Sequence, residues 1–161
     1  MLKLIGENPC EQLEIELGDY VPFRFQCPTK KVRSIYWRTG DFESTLLEVE
    51  INADDGQMVG AALLLAGKVK KGLPALWLPE KSLTGLPIVC TDHWPDGIFL
   101  DEIKSFDVFI DESRLLVSMS NLLAERILVA GNIIFGICAN DSLSWMLVNE
   151  LDSGRLAEMA E

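Results

Sequence analysis

The chain has a single histidine, His93, and that scarcity removes most catalytic chemistry at once. Ser-His-Asp mechanisms, Cys-His mechanisms and histidine-ligated metals would all have to pass through the run CTDHWPD, residues 90–96. There Cys90, Asp92 and Asp96 share one loop with His93, whereas catalytic partners come from separate elements that fix their mutual angle. The four cysteines, Cys10, Cys27, Cys90 and Cys138, form no C-x-x-C pair. That excludes a zinc knuckle and a redox motif by spacing, and reduced, mostly buried thiols are expected. No glycine-rich phosphate loop is present. No apolar run approaches the roughly 20 residues of a membrane helix, and the start MLKLIGENPC turns polar too soon for a signal peptide. Cytoplasmic residence without membrane attachment is the expectation. Bases are few: 14 Lys and Arg stand against 25 Asp and Glu, and the net charge of −11 repels phosphates, so direct nucleic-acid binding is not expected. Lys68, Lys70 and Lys71 are too few for stable anchoring to a membrane and read as a solvated turn. Neither a catalytic residue, nor a cofactor, nor a metal ligand is predicted.

What the sequence does hold is apolar alternation punctuated by turns. At 161 residues and 48% hydrophobic content, one domain with its own core is expected. The stretch LLEVEINADDGQMVGAALLLAG, residues 46–67, poses the sharpest question, because NADDG has the look of a calcium loop. If Gly56 is the glycine of such a loop, the ligand positions before it fall on Ile51, Ala53 and Asp55, and the bidentate position falls on Ala62. Hydrocarbon occupies three of those four positions, so the calcium reading fails. Asn, Asp and Gly tolerate positive φ and bond their own backbone, so Asn52 to Gly56 is read as a hairpin turn. Before it, Leu47, Val49 and Ile51 alternate with Glu48 and Glu50, the period of a strand with one buried and one wet face. Paired acids such as Asp41 with Glu43, or Asp101 with Glu102, are expected on any solvated face of so acidic a chain and carry no catalytic claim.

Other strands are read at EQLEIEL (11–17), YVPFRFQC (20–27), VRSIYWR (32–38), FDVFI (106–110) and LLVSMS (115–120). The run RILVAGNIIFGICANDSLSWMLVNEL reads as two further hairpins, turning at Gly131-Asn132 and at Asn140-Asp141-Ser142. Helical spacing of Leu143, Met146, Leu147 and Leu151 competes there, but the alternation of Leu143, Trp145 and Leu147 after a turn favours strand. The tail DSGRLAEMAE is read as a short surface helix or a frayed end. Residues 68–101 break the pattern with four of the seven prolines and with Trp77 and Trp94. Proline removes ladder donors, so these residues are not central strands but a long irregular connection, packed over a core edge or presented to a partner. The predicted fold is mainly β with little helix: antiparallel hairpins forming a sandwich, a half-barrel or a curved sheet.

The passages STLLEVEINADDGQMVGAALLL, FDVFIDESRLLVSMS and AGNIIFGICANDSLSWMLV give residues 40–150 a resemblance to the immunity proteins of bacterial contact-dependent inhibition and polymorphic-toxin systems. The resemblance implies a non-enzymatic cytoplasmic protein that binds and neutralises a cognate toxin domain. The charge implies that the partner is basic, as a nuclease must be to attract phosphates. Candidate partner contacts are Asp41, Glu43, Glu48, Glu50, Asp54 and Asp55, with Trp77 and Trp94 from the proline-rich connection. Two other classes stay open at this point: a ligand-binding β domain with a pocket under residues 72–97, and a structural or adaptor subunit that self-associates through a sheet edge.

Overall fold

The computed structural model describes residues 1–10, 12–28, 32–120 and 122–160. Strand β1 spans Leu4–Asn8, β2 Glu14–Glu16, β3 Phe23–Gln26, β4 Ser34–Gly40, β5 Thr45–Asn52 and β6 Met58–Ala66. Of the predicted EQLEIEL strand, Glu14–Glu16 are strand and Glu11 lies outside the described residues. β5 alternates buried and half-buried residues along its whole length, as its Leu-Glu-Val-Glu-Ile run requires. The NADDG turn then reverses the chain: Asn52 Oδ1 accepts from Asp54 N at 2.9 Å, and Asn52 O accepts from Gly56 N at 2.8 Å. Glycine is obligatory at the end of that turn. Gly56 has φ +78°, and a Cβ on it would lie 2.4 Å from Val89 O.

The proline-rich segment is not wholly irregular. It carries β7 (Lys70–Lys71), β8 (Ser82–Thr84), β9 (Leu86–Val89) and β10 (Phe99–Ile103). Each stands at a sheet edge or in the small sheet β1-β9, where a missing ladder donor is tolerated. Among the described residues the three parallel pairings, β10 with β4, β7 with β11 and β8 with β13, each use a strand of this segment. Parallel neighbours need long crossovers, and these residues supply them. The sheets are therefore mixed at their edges instead of purely antiparallel.

β11 (Asp107–Ile110), β12 (Leu115–Ser118), β13 (Arg126–Ala130), β14 (Ile133–Ile137) and β15 (Leu143–Val148) follow; the two predicted turns join β13 to β14 and β14 to β15, and Leu143–Val148 is strand. The last element, α1 (Ser153–Met159), is capped by Asp152, whose Oδ1 accepts from Arg155 N at 2.9 Å, and it is anchored by the buried Leu156. One large sheet runs β10-β4-β5-β6-β3-β2 and the other β7-β11-β12-β15-β14-β13-β8. Their inner faces share one core in which Phe25 meets Phe135 edge-on at 6.2 Å, giving a sandwich. A second apolar cluster lies on the outer face of the seven-stranded sheet, built on Leu116, Ile127, Trp145 and Leu147 and covered by Leu73, Leu76 and Leu122. Gly136 makes room for it, since a Cβ there would sit 2.1 Å from the Trp145 indole.

The cysteine expectation is corrected. Cys10 and Cys27 form a disulfide across 17 residues, tying the end of β3 to the chain after β1, while Cys90 and Cys138 are free and half-buried. Spacing along the chain carried no signal for this pair, which flanks the consecutive antiparallel strands β2 and β3.

Candidate functional site

The outer face of the six-stranded sheet is the surface to which the predicted acids point. Inward residues Ile15, Phe25, Trp37, Val49 and Ala61 pack on the core, so their neighbours along each strand face out. Strand register assembles those neighbours into two rows that cross all six strands. One runs Glu16, Arg24, Ala62, Glu48, Arg38, Asp101, and the next runs Glu14, Gln26, Gly60, Glu50, Tyr36, Phe99. Where the rows cross β6 the side chains shrink to Gly60 and Ala62. The result is a groove of about 270 Å³, walled by Arg24 and Gln26 on one side and by Tyr36, Glu48 and Glu50 on the other.

The groove is fixed from its β10 side. Arg38 makes a two-pronged ion pair with Asp101, Nε to Oδ1 at 2.7 Å and Nη2 to Oδ2 at 2.9 Å. Its guanidinium lies 4.0 Å above the Phe99 ring, and Tyr36 stacks on the same ring at 5.5 Å. Ser34 Oγ donates to Glu50 Oε1 at 2.6 Å. Burial, then the charges of Glu50 and Glu48, push the Tyr36 phenol above its ordinary value, so it stays a neutral hydrogen-bond donor. With Arg38 and Asp101 cancelling, Glu14, Glu16, Glu48 and Glu50 outnumber Arg24, and the face is negative. Arg24 makes no ion pair among the described residues.

The remaining predicted residues do not gather into one patch. Asp54 and Asp55 sit at the tip of the β5–β6 hairpin; Arg33 reaches Asp54 across 3.5 Å in an exposed pair, and Asp55 Oδ1 accepts from Gln57 N. Asp41 and Glu43 lie in the β4–β5 turn at the opposite end of β5, an eight-residue strand and hence roughly 23 Å away. Asp41 holds that turn together: its carboxylate accepts from the Ser44 hydroxyl and from the backbone N–H groups of Thr45, Ser44 and Glu43. These bonds hold its carboxyl well below the usual carboxylate range. Trp94 is partly buried against the main core, whereas Trp77 is 64% exposed beyond Leu73 and Leu76. His93 is exposed in the turn closed by Trp94 N on Thr91 O, and no group of three metal-ligating side chains occurs among the described residues.

Glu48 and Glu50 were readable from alternation alone. Glu14, Glu16, Arg24, Gln26, Tyr36 and Phe99 were not, because their membership depends on which strands pair; the one hint is that Glu14 and Glu16 flank Ile15 with strand period. No protein-family model matches the chain, and no curated protein is significantly similar to it.

Proposed function

We propose that the chain is a non-enzymatic binding protein that neutralises a basic toxin domain of nuclease type, in the manner of the immunity proteins it resembles. The observation that carries this reading is the contrast between the two outer faces. The seven-stranded sheet is covered by its own apolar residues, while the six-stranded sheet leaves two rows of side chains open, with four glutamates against one uncompensated arginine. Such a face mimics phosphate charge and speeds encounter with a positive cleft. Glu48 and Glu50 lie at its centre, and Asp54 and Asp55 extend it at the hairpin tip. Trp77 offers the kind of exposed aromatic anchor that dominates interface energetics.

Cytoplasmic residence belongs to the same reading, because a nuclease acts on nucleic acid inside the cell. Thiol labelling in intact cells tests it. The Cys10–Cys27 disulfide stands against that placement, because the cytoplasm keeps thiols reduced: a bridge found open in the cell supports it and one found closed overturns it. The function itself is tested by co-expressing the chain with the product of the adjacent gene. Protection from toxicity together with a stable complex supports the proposal. A toxic neighbour that neither binds the chain nor is neutralised by it ends the proposal, and so does a gene with no toxic neighbour.

A further inference from the structure

The four outer edges of the two large sheets are not equivalent. β2 is three residues long and shows Glu14 and Glu16; β7 is two lysines; β8 is three residues with Thr84 and Ser82 flanking Leu83. Edges this short, two of the three charged, resist pairing with other chains. β10 is longer, with five residues, and it is apolar at both ends: Phe99 is 41% exposed and Ile103 79% exposed, with Ile98 beside them. Its inner neighbour β4 takes only half of its backbone groups. Tyr36 N donates to Ile98 O at 2.7 Å and Lys104 N donates to Gly40 O at 3.0 Å, so even-numbered residues of β10 bond inward. By the alternation of a ladder, the N–H and C=O groups of Phe99, Asp101 and Ile103 point away from the sheet.

We propose that two copies of this chain pair antiparallel along β10, about a two-fold axis at Asp101. That register is selected twice over. Its backbone requirement is that residues with outward N–H and C=O groups stand opposite one another, and it sets Phe99 against Ile103 of the second copy, Asp101 against Asp101, and Ile103 against Phe99. Each such pair exchanges two backbone hydrogen bonds. The side-chain requirement is met by the same pairs, since the exposed aromatic ring of one copy covers the exposed isoleucine of the other. The two central carboxylates are each already neutralised by the ion pair with Arg38. A two-fold axis through a shared ladder makes one continuous sheet, with both acidic outer faces on the same side.

The pairing does not depend on the toxin-binding proposal, and salt separates the two. Two chains of charge −11 repel, so self-association strengthens as salt is added, whereas attachment to a basic partner weakens. Sedimentation equilibrium is run from about 10 μM to about 1 mM protein, where a small interface associates, at low and high salt. Wild type should pass from monomer to dimer, more readily at high salt. Ile103→Lys should raise the dissociation constant at least about tenfold, because symmetry places the change in the interface twice. Ile103→Pro, which removes only an outward N–H, should do the same without disturbing the β4 ladder. Ile5→Lys alters another strongly exposed isoleucine, on β1, and should leave the constant unchanged. A monomer throughout the range at both salt concentrations would overturn the proposal. So would a dimer insensitive to both Ile103 variants, or one weakened as much by Ile5→Lys.

Discussion

The two sheets of the sandwich use their outer faces in opposite ways. In the seven-stranded sheet β12 and β15 are buried at every position, because the chain folds residues 72–76 and 122–124 back over Leu116, Trp145 and Leu147. In the six-stranded sheet β5 alternates strictly, no apolar cluster of the described residues covers its outer side, and the outward residues of the sheet include Glu, Arg, Gln and Tyr. The difference teaches that the proline-rich segment decides which surface can meet a partner. By spending its leucines on one sheet it leaves the other sheet open.

The comparison can be broken most forcefully at Trp145. Its indole is fully buried and donates from Nε1 to Leu122 O at 3.2 Å, so Trp145→Ala should cost about 3–5 kcal/mol in urea unfolding. Tyr36, the large aromatic of the open face, should lose only about 1 kcal/mol on change to alanine. Equal costs would mean that the open face is a second core and not a docking surface. Opening the Cys10–Cys27 bridge with a Cys10→Ser, Cys27→Ser protein should cost about 3 kcal/mol from the closed 17-residue loop. That loss should fall on the β3 side of the open sheet, and hydrogen exchange locates it.

Smaller and pH-dependent is the contribution of Asp41. Its folded pKa is depressed, so the stabilisation is complete above the unfolded value of about 3.9 and is lost as pH falls below it. Acid unfolding of Asp41→Asn should therefore be shallower than that of wild type below about pH 4. Parallel acid limbs would remove Asp41 from its role in the turn. Least of all should Glu48→Gln and Glu50→Gln change stability, each by less than about 0.5 kcal/mol, since both lie on the open face and an amide oxygen at position 50 still accepts from Ser34 Oγ.

What could be read from sequence was whatever a few adjacent residues decide. The NADDG turn, the Gly131-Asn132 turn and the Asn140-Asp141-Ser142 turn each joined the strands expected, because turn chemistry is local. The unbroken burial of β12 and β15 differs from the alternation of β5 for a physical reason, namely burial on two faces against burial on one. Unreadable were the pairings that bridge long stretches of chain. Leu4 meets Val89 and Asp101 meets Arg38, and each requires the whole fold before the two residues become neighbours. The acids were therefore predicted individually, but their arrangement was not: Glu14 and Glu16 join Glu48 and Glu50 through β3 and β6, while Asp41 stands apart at the far turn.

The central claim, that the open acidic face receives a basic partner, is tested most directly by stopped-flow association with the toxin domain purified from the neighbouring gene. Wild type is compared with a Glu48→Lys, Glu50→Lys protein across a range of salt. The predicted result is an association rate lowered at least about tenfold at low salt, with a flattened salt dependence, and unfolding behaviour close to wild type. An unchanged rate and salt slope in a folded, charge-reversed protein would contradict the claim and move the partner to another surface.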